Sequence, residues 1–264
     1  MDAEEQRRRA YLAAMGVQVW EPRRGSPVPA ATGAHAVESM PPVQVPLDAG
    51  RNDEGIVGWD DEGIPAKEAI PASEPDLHTC GWDELATRVA ACTACPLHLT
   101  RTQTVFGVGD RAARWMIIGE APGEQEDLQG EPFVGRAGLL LNEMLRAVGL
   151  QREQVYIANV LKCRPPKNRD PQPDEAAACE GYLKRQLELA QPDIILAVGR
   201  IAAQNLLKTT TPIGKLRGRV HEYQGVPLVV TYHPAYLLRS PLEKRRAWDD
   251  LRLAWTTYRQ LQPH

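Results

Sequence analysis

No uninterrupted apolar stretch of this 264-residue chain approaches the 18 or more residues of a membrane span, which argues against a transmembrane helix. The first ten residues are charged and lack the apolar run of a secretory leader, so a cytosolic place is expected. Two nucleotide-binding signatures are missing as well. The glycines near positions 119–123 do not form the dinucleotide pattern, and Gly214–Lys215 is followed by Leu216, without the hydroxyl that would hold magnesium. A nucleotide cofactor is therefore not expected. There is no internal repeat, and in a reducing compartment the five cysteines are poor candidates for disulfides.

Charge is unevenly spread. The formal net charge of −3 hides 7 Lys/Arg against 14 Asp/Glu in residues 1–79, and 24 against 20 in residues 80–264. Nine basic and two acidic residues fall between positions 200 and 246, and Lys162, Arg164, Lys167 and Arg169 form a second cluster. Such stretches suit a phosphate-binding face, or a merely solvated one.

Residues 1–79 read as an extension. A short helix to about Met15 is expected, followed by a tract rich in Pro, Gly, Ala and acidic residues. Its prolines withhold backbone donors, and its composition supplies little to pack, so it is expected to be largely disordered. It is a candidate tether for an unidentified protein partner.

From position 82 the pattern changes. Trp82, Leu85 and Val89 share one face of a helix that ends near Cys92–Pro96. Four short apolar runs, at 115–118, 155–160, 194–198 and 228–231, read as strands, with helices expected at 137–148, 174–189, 201–208 and 242–261. This alternation predicts a three-layer α/β/α domain over residues 80–264 around a central, mainly parallel, four-stranded sheet. In such a sheet ligands lie beyond the carboxyl ends of the strands. Those ends carry Gly119–Gly123, Asn159 with Lys162–Arg164, Gly199–Arg200, and His233–Pro234.

Cys92 and Cys95 form a C-x2-C pair, Cys163 follows the second strand, and Cys179 falls on a helix 16 positions later. Four thiolates could close on one metal centre, and spacing alone does not separate an iron–sulfur cluster from tetrahedral zinc or from separately buried cysteines. Cys80 stands outside the set.

Four segments, GEAPGEQED at 119–127, EPFVGRAG at 131–138, NVLKCRPPKNR at 159–169 and HPAYLLR at 233–239, together resemble the bacterial and archaeal uracil-DNA glycosylases of family 4, in that family's order. The resemblance spans roughly residues 80–264. It implies excision of uracil from single- or double-stranded DNA to leave an abasic site, by a monomer in the bacterial cytosol or nucleoid. It also implies a four-iron, four-sulfur cluster on Cys92, Cys95, Cys163 and Cys179.

The same resemblance assigns the cleft. Phe133 matches the aromatic that stacks on the extrahelical base, and Asn159 the amide that reads its edge. An asparagine accepts from uracil N3–H and donates to O4, whereas cytosine reverses both complementarities. Glu120 is expected to position uracil through its backbone. His233 matches the family's donor to the departing base. Leu237 or Leu238 is the expected wedge into the groove, with Arg239, Lys162 and Arg164 as further DNA contacts. The better-known uracil-DNA glycosylases carry an aspartate where this chain has Ala121, so another carboxylate must serve water or the sugar cation: Glu126 is preferred, with Asp127 beside it. A binding protein without turnover would use the same aromatic and amide, and a release assay separates the two. An iron–sulfur electron carrier would leave Phe133, Asn159 and His233 without a role.

Overall fold

A computed structural model describes residues 77–262, together with Gln6. The expected disorder of the extension, its amino-terminal helix and its tethering role fall almost wholly outside the described residues.

Helix α1 (Trp82–Ala90) leads through a 3-10 turn at Pro96–Leu99 to β1 (Val108–Gly109) and β2 (Trp115–Gly119). Helices α2 (Glu124–Gln129) and α3 (Arg136–Ala147) follow, then β3 (Tyr156–Asn159) and the long α4 (Pro173–Ala190). Next come β4 (Ile194–Val198), α5 (Arg200–Leu206) and α6 (Ile213–Leu216). Strands β5 (Val220–Tyr223) and β6 (Val226–Thr231), then α7 (Pro234–Arg239) and α8 (Lys244–Leu261), complete the domain. Among the described residues no helix is long and apolar enough to cross a membrane.

The sheet runs β1-β3-β2-β4-β6-β5. Its four inner strands are parallel, as the apolar runs predict, and β1 and β5 add antiparallel edges. Strands β2 and β4 are buried along their whole length because helices cover both faces. On one face Trp115, Ile117, Leu196 and Val229 meet Leu141 and Met144 of α3 and Trp248 and Leu251 of α8. On the other, Met116, Ile118, Ile195 and Val230 meet Leu183 and Leu187 of α4 and Ala203 and Leu206 of α5. Adjacent residues of one strand thus enter opposite layers, the period-two rule of a pleated strand.

The edges escaped the sequence pattern for physical reasons. Strand β1 has two residues, and β5 is largely open to solvent, so neither carries an apolar run. Gln224 and Gly225, at φ 51° and 78°, form the two-residue turn from β5 to β6, a backbone that matches strand twist.

Candidate functional site

Beyond the carboxyl ends of the inner strands lies a cleft of about 780 Å3. Glu120, Ala121 and Glu126 line it from the β2 side, Asn159 from β3, Arg200 from the start of α5, and His233, Tyr236 and Arg239 from the segment after β6. Phe133 reaches it from the loop between α2 and α3.

Close approach at the cleft floor depends on glycine. A Cβ at Gly119 would lie 2.4 Å from Asn159 Oδ1 and 2.7 Å from Phe133 Cζ, so only a bare Cα lets both side chains sit over the end of β2. Asn159 is 2% exposed and ends β3. The Phe133 ring stacks beside the His233 imidazole, with centroids 5.5 Å apart and planes inclined by 26°. Gly199, at φ 100°, passes close behind the same imidazole.

The chemical state of His233 follows from its surroundings. The Ala235 backbone N–H donates to Nδ1 at 3.1 Å, so Nδ1 is the bare nitrogen and a neutral ring carries its proton on Nε2. Burial, with Arg239 adding to it, pushes the imidazole pKa down to about 4, against the opposing pull of Glu126. A neutral donor results at pH 7. Glu120 moves the other way: burial, then the charge of Asp170, raise its carboxyl to about 7, while Arg200 works against them. Arg200 and Asp170 are themselves paired, Nη2 to Oδ2 at 2.7 Å, along the cleft wall.

The carboxylates of the first motif part company. Glu126 lines the cleft, and its Oε1 accepts from the N–H groups of Val134 and Gly135 at 3.0 and 3.3 Å, which ties down the loop bearing Phe133. Asp127 is 2% exposed, does not line the cleft, and accepts the Thr102 N–H at 3.0 Å with both oxygens.

The basic and apolar candidates separate as well. Lys162 is 1% exposed, with Nζ donating to the Asn159 carbonyl at 2.9 Å and to Gln186 Oε1 at 2.6 Å, and burial lowers its pKa to about 7. Arg164 holds Asn168 Oδ1 at 2.8 Å and lies 3.9 Å from Glu124. Leu237 is packed wholly inside the core, whereas Leu238 is 37% exposed and Arg239 stands at the open rim.

The expectation of a four-iron, four-sulfur cluster requires correction. Cys92, Cys95, Cys163 and Cys179 do line a common cavity, but its volume is only about 10 Å3, room for roughly one water. Among the described residues, no group of three or more His, Cys, Asp or Glu side chains could hold a metal ion. Burial raises the thiols of Cys95 and Cys163 above their ordinary value and that of Cys179 to about 12, which favours neutral sulfur. The Cys163 Sγ also accepts from Arg101 Nη1 at 3.0 Å. The residues present do not fit the cluster.

Residues 106–252 match the model of the uracil DNA glycosylase superfamily. The type-4 uracil-DNA glycosylase of Archaeoglobus fulgidus is 49% identical over 178 residues, which cover 64% of this chain and 89% of that one. Its counterpart in Thermotoga maritima is 50% identical over 158 residues, 59% of this chain and 82% of the relative. The chain belongs to the type-4 uracil-DNA glycosylases. The superfamily's reach is broader: a type-5 uracil-DNA glycosylase of Pyrobaculum aerophilum is 30% identical over 192 residues, 60% and 84% of the two chains.

In this type-4 chain the sequence pattern passed over Asp170, Tyr232 and Arg152, and it marked Arg200 only as a strand-end residue and Tyr236 only as part of a motif. Asp170 and Arg200 are far apart in sequence and meet only when α5 is docked. Tyr236 touches Tyr232, ring centroids 5.0 Å apart, and both line the cleft. Arg152 reaches back 19 and 20 positions to the loop carrying Phe133, a separation that no local motif signals.

Proposed function

We propose that uracil, turned out of DNA, enters the cleft over Gly119, with Phe133 against its face, Asn159 on its N3–H and O4, and His233 on O2. Membership of the type-4 family makes the chain a uracil-excising DNA glycosylase, a hydrolase that binds DNA. The target bond is inaccessible within a paired duplex, so the nucleotide must leave the stack first.

Cleavage breaks the bond between uracil N1 and sugar C1′. The electron pair departs with uracil, and its charge spreads to O2; positive character grows on the sugar until water adds to C1′ and gives up a proton. A donor fixed where negative charge develops lowers this barrier without first having to reorganise. The observation that carries the reading is the Ala235 N–H on His233 Nδ1, which leaves Nε2–H of a neutral ring to donate beside Phe133 and Asn159. Ionised Glu120 is our choice for stabilising the sugar cation and orienting water, since it lines the cleft with a raised pKa. Glu126, the carboxylate first preferred, supports the Phe133 loop through Val134 and Gly135. Asp127 anchors the chain at Thr102. For the DNA face we propose Leu238 as the wedge, since Leu237 is in the core, with Arg239 as a phosphate contact. Residues 80–264 of one copy hold every group in this scheme, so we propose a monomer.

Matched duplexes containing uracil or thymine at one position, incubated with the protein and assayed for free base, test the reading. Release of uracil and not thymine is expected. Retention of both bases by fully folded protein would reject it.

A further inference from the structure

Phe133 has a backbone conformation that an aromatic residue seldom adopts. Its φ is 54°, in the left-handed region, where a bulky side chain crowds its own carbonyl. Such a conformation persists only where the surroundings over-determine it. Three contacts do so here. Glu126 Oε1 takes the N–H groups of Val134 and Gly135, on the carboxyl side of Phe133. Gly138 lies so close that an added Cβ would come within 1.7 Å of the Phe133 carbonyl oxygen. On the amino side, Arg152 Nη2 donates to the Pro132 carbonyl at 2.6 Å, and Nη1 reaches the Phe133 carbonyl and Asn142 Oδ1 of α3, each at 3.4 Å.

Arg152 is not part of the cleft wall. It stands on the 3-10 turn Arg152–Gln154 just before β3, the strand that ends in Asn159. One short segment therefore sets both the ring and the amide proposed to receive the base. The guanidinium is partly desolvated, and burial draws its pKa below the ordinary arginine value, so its bonds to the carbonyls compete with little water. A planar fork with several donors can bridge successive carbonyls and a helix side chain at once, which an ammonium cannot reproduce.

We infer that Arg152 is the positioning residue that locks Phe133 in its left-handed, base-facing conformation, holding the stacking ring ready before DNA arrives. The inference rests on the proposed stacking role of Phe133 for its functional consequence, but not for its structural one. Loss of the clamp lets the 131–135 loop relax toward ordinary backbone angles and swing the ring off Gly119. Capture of uracil should suffer, while the chemical step on bound uracil, governed by His233, should not.

The chain contains only two phenylalanines, Phe106 and Phe133, so protein labelled with 4-fluorophenylalanine gives two 19F resonances, assigned by Phe133→Leu. In DNA-free protein, Arg152→Ala should shift or broaden the Phe133 signal and leave that of Phe106 in place; Arg152→Lys should restore it only in part. An unmoved Phe133 resonance overturns the clamp, whatever the role of the ring. Single-turnover kinetics supply the second measurement. Arg152→Ala should raise the DNA concentration for half-maximal rate about tenfold, with the limiting rate nearly kept. It should add little in a Phe133→Ala background, because the two residues act as one unit. Independent, additive effects, or a loss confined to the limiting rate, would overturn the inference. If the resonance moves but Phe133→Ala captures uracil normally, the stacking reading fails while the clamp's structural part stands.

Discussion

The cleft and the cysteine-lined corner both grow from the segment that leaves β3, yet they treat polar groups in opposite ways. Asn159 ends the strand with its amide at the cleft floor. Three positions later Lys162 turns into the protein, where its ammonium meets the Asn159 carbonyl and Gln186. Gln186 in turn donates to the Phe106 carbonyl and the Tyr156 hydroxyl at 2.8 and 3.0 Å. In the corner polar atoms are satisfied by one another; around the cleft Asn159 and His233 present atoms suited to a ligand. Recognition requires the second arrangement, and the first holds it rigid.

Substitutions in the cleft should cost the most. His233→Ala should slow single-turnover cleavage of saturating uracil-DNA by about 100- to 1,000-fold, the cost of an oxyanion donor, with DNA affinity nearly unchanged. A comparable loss of affinity with an undiminished rate would make His233 a binding group and not a catalytic one. Asn159→Ala should follow, with uracil-over-cytosine selection weakened by about 1–3 kcal/mol for each lost partner. Relative release rates from matched substrates measure it, and unaltered selection would remove Asn159 as the reader.

Next comes the acidity of the cleft. If ionised Glu120 serves the sugar cation, the cleavage rate rises with pH through about 7 and is near one-tenth of its plateau about one unit below that midpoint. Asp170→Asn removes a charge that raises the carboxyl pKa, so the rising limb should shift to lower pH. A profile that instead falls with pH through 7 would make the protonated acid the active form.

The smallest effects contrast Lys162 with Arg239. Arg239→Ala should weaken binding to all DNA sequences alike and reduce the salt slope by about one. Lys162→Met should leave that slope unchanged, since its ammonium is shielded from DNA, and should lower stability by about 1–3 kcal/mol by orphaning two buried acceptors. Denaturant midpoints and salt titrations of the two variants separate these outcomes.

Much of the fold and part of the cleft are legible in the sequence. The inner strands follow from short apolar runs, because burial on both faces demands apolar residues at successive positions. The meeting of Asn159 and His233 follows from the parallel sheet, since its strand ends share one edge, whereas Phe133, on the loop between α2 and α3, was placed with them only by the family resemblance. The fate of Lys162 was not legible: a lysine beside arginines looks like a phosphate contact, and its burial is decided by Gln186, 24 positions away on α4. Adjacent Leu237 and Leu238 read alike, and only the docking of α7 sends one inward. Cysteine spacing brought four thiols to one corner, but spacing carries no information on the volume left between them.

The proposed chemical step turns on a neutral imidazole in the cleft, with its proton on Nε2 for the departing base. Protein labelled with 15N-histidine, with His233→Gln to assign the ring, allows that state to be read directly by NMR from pH 8 to pH 5. The ring of His233 should remain neutral throughout, with Nδ1 bare and Nε2 protonated, as expected for a pKa near 4. An imidazolium at pH 7, or a neutral ring carrying its proton on Nδ1, would contradict the account.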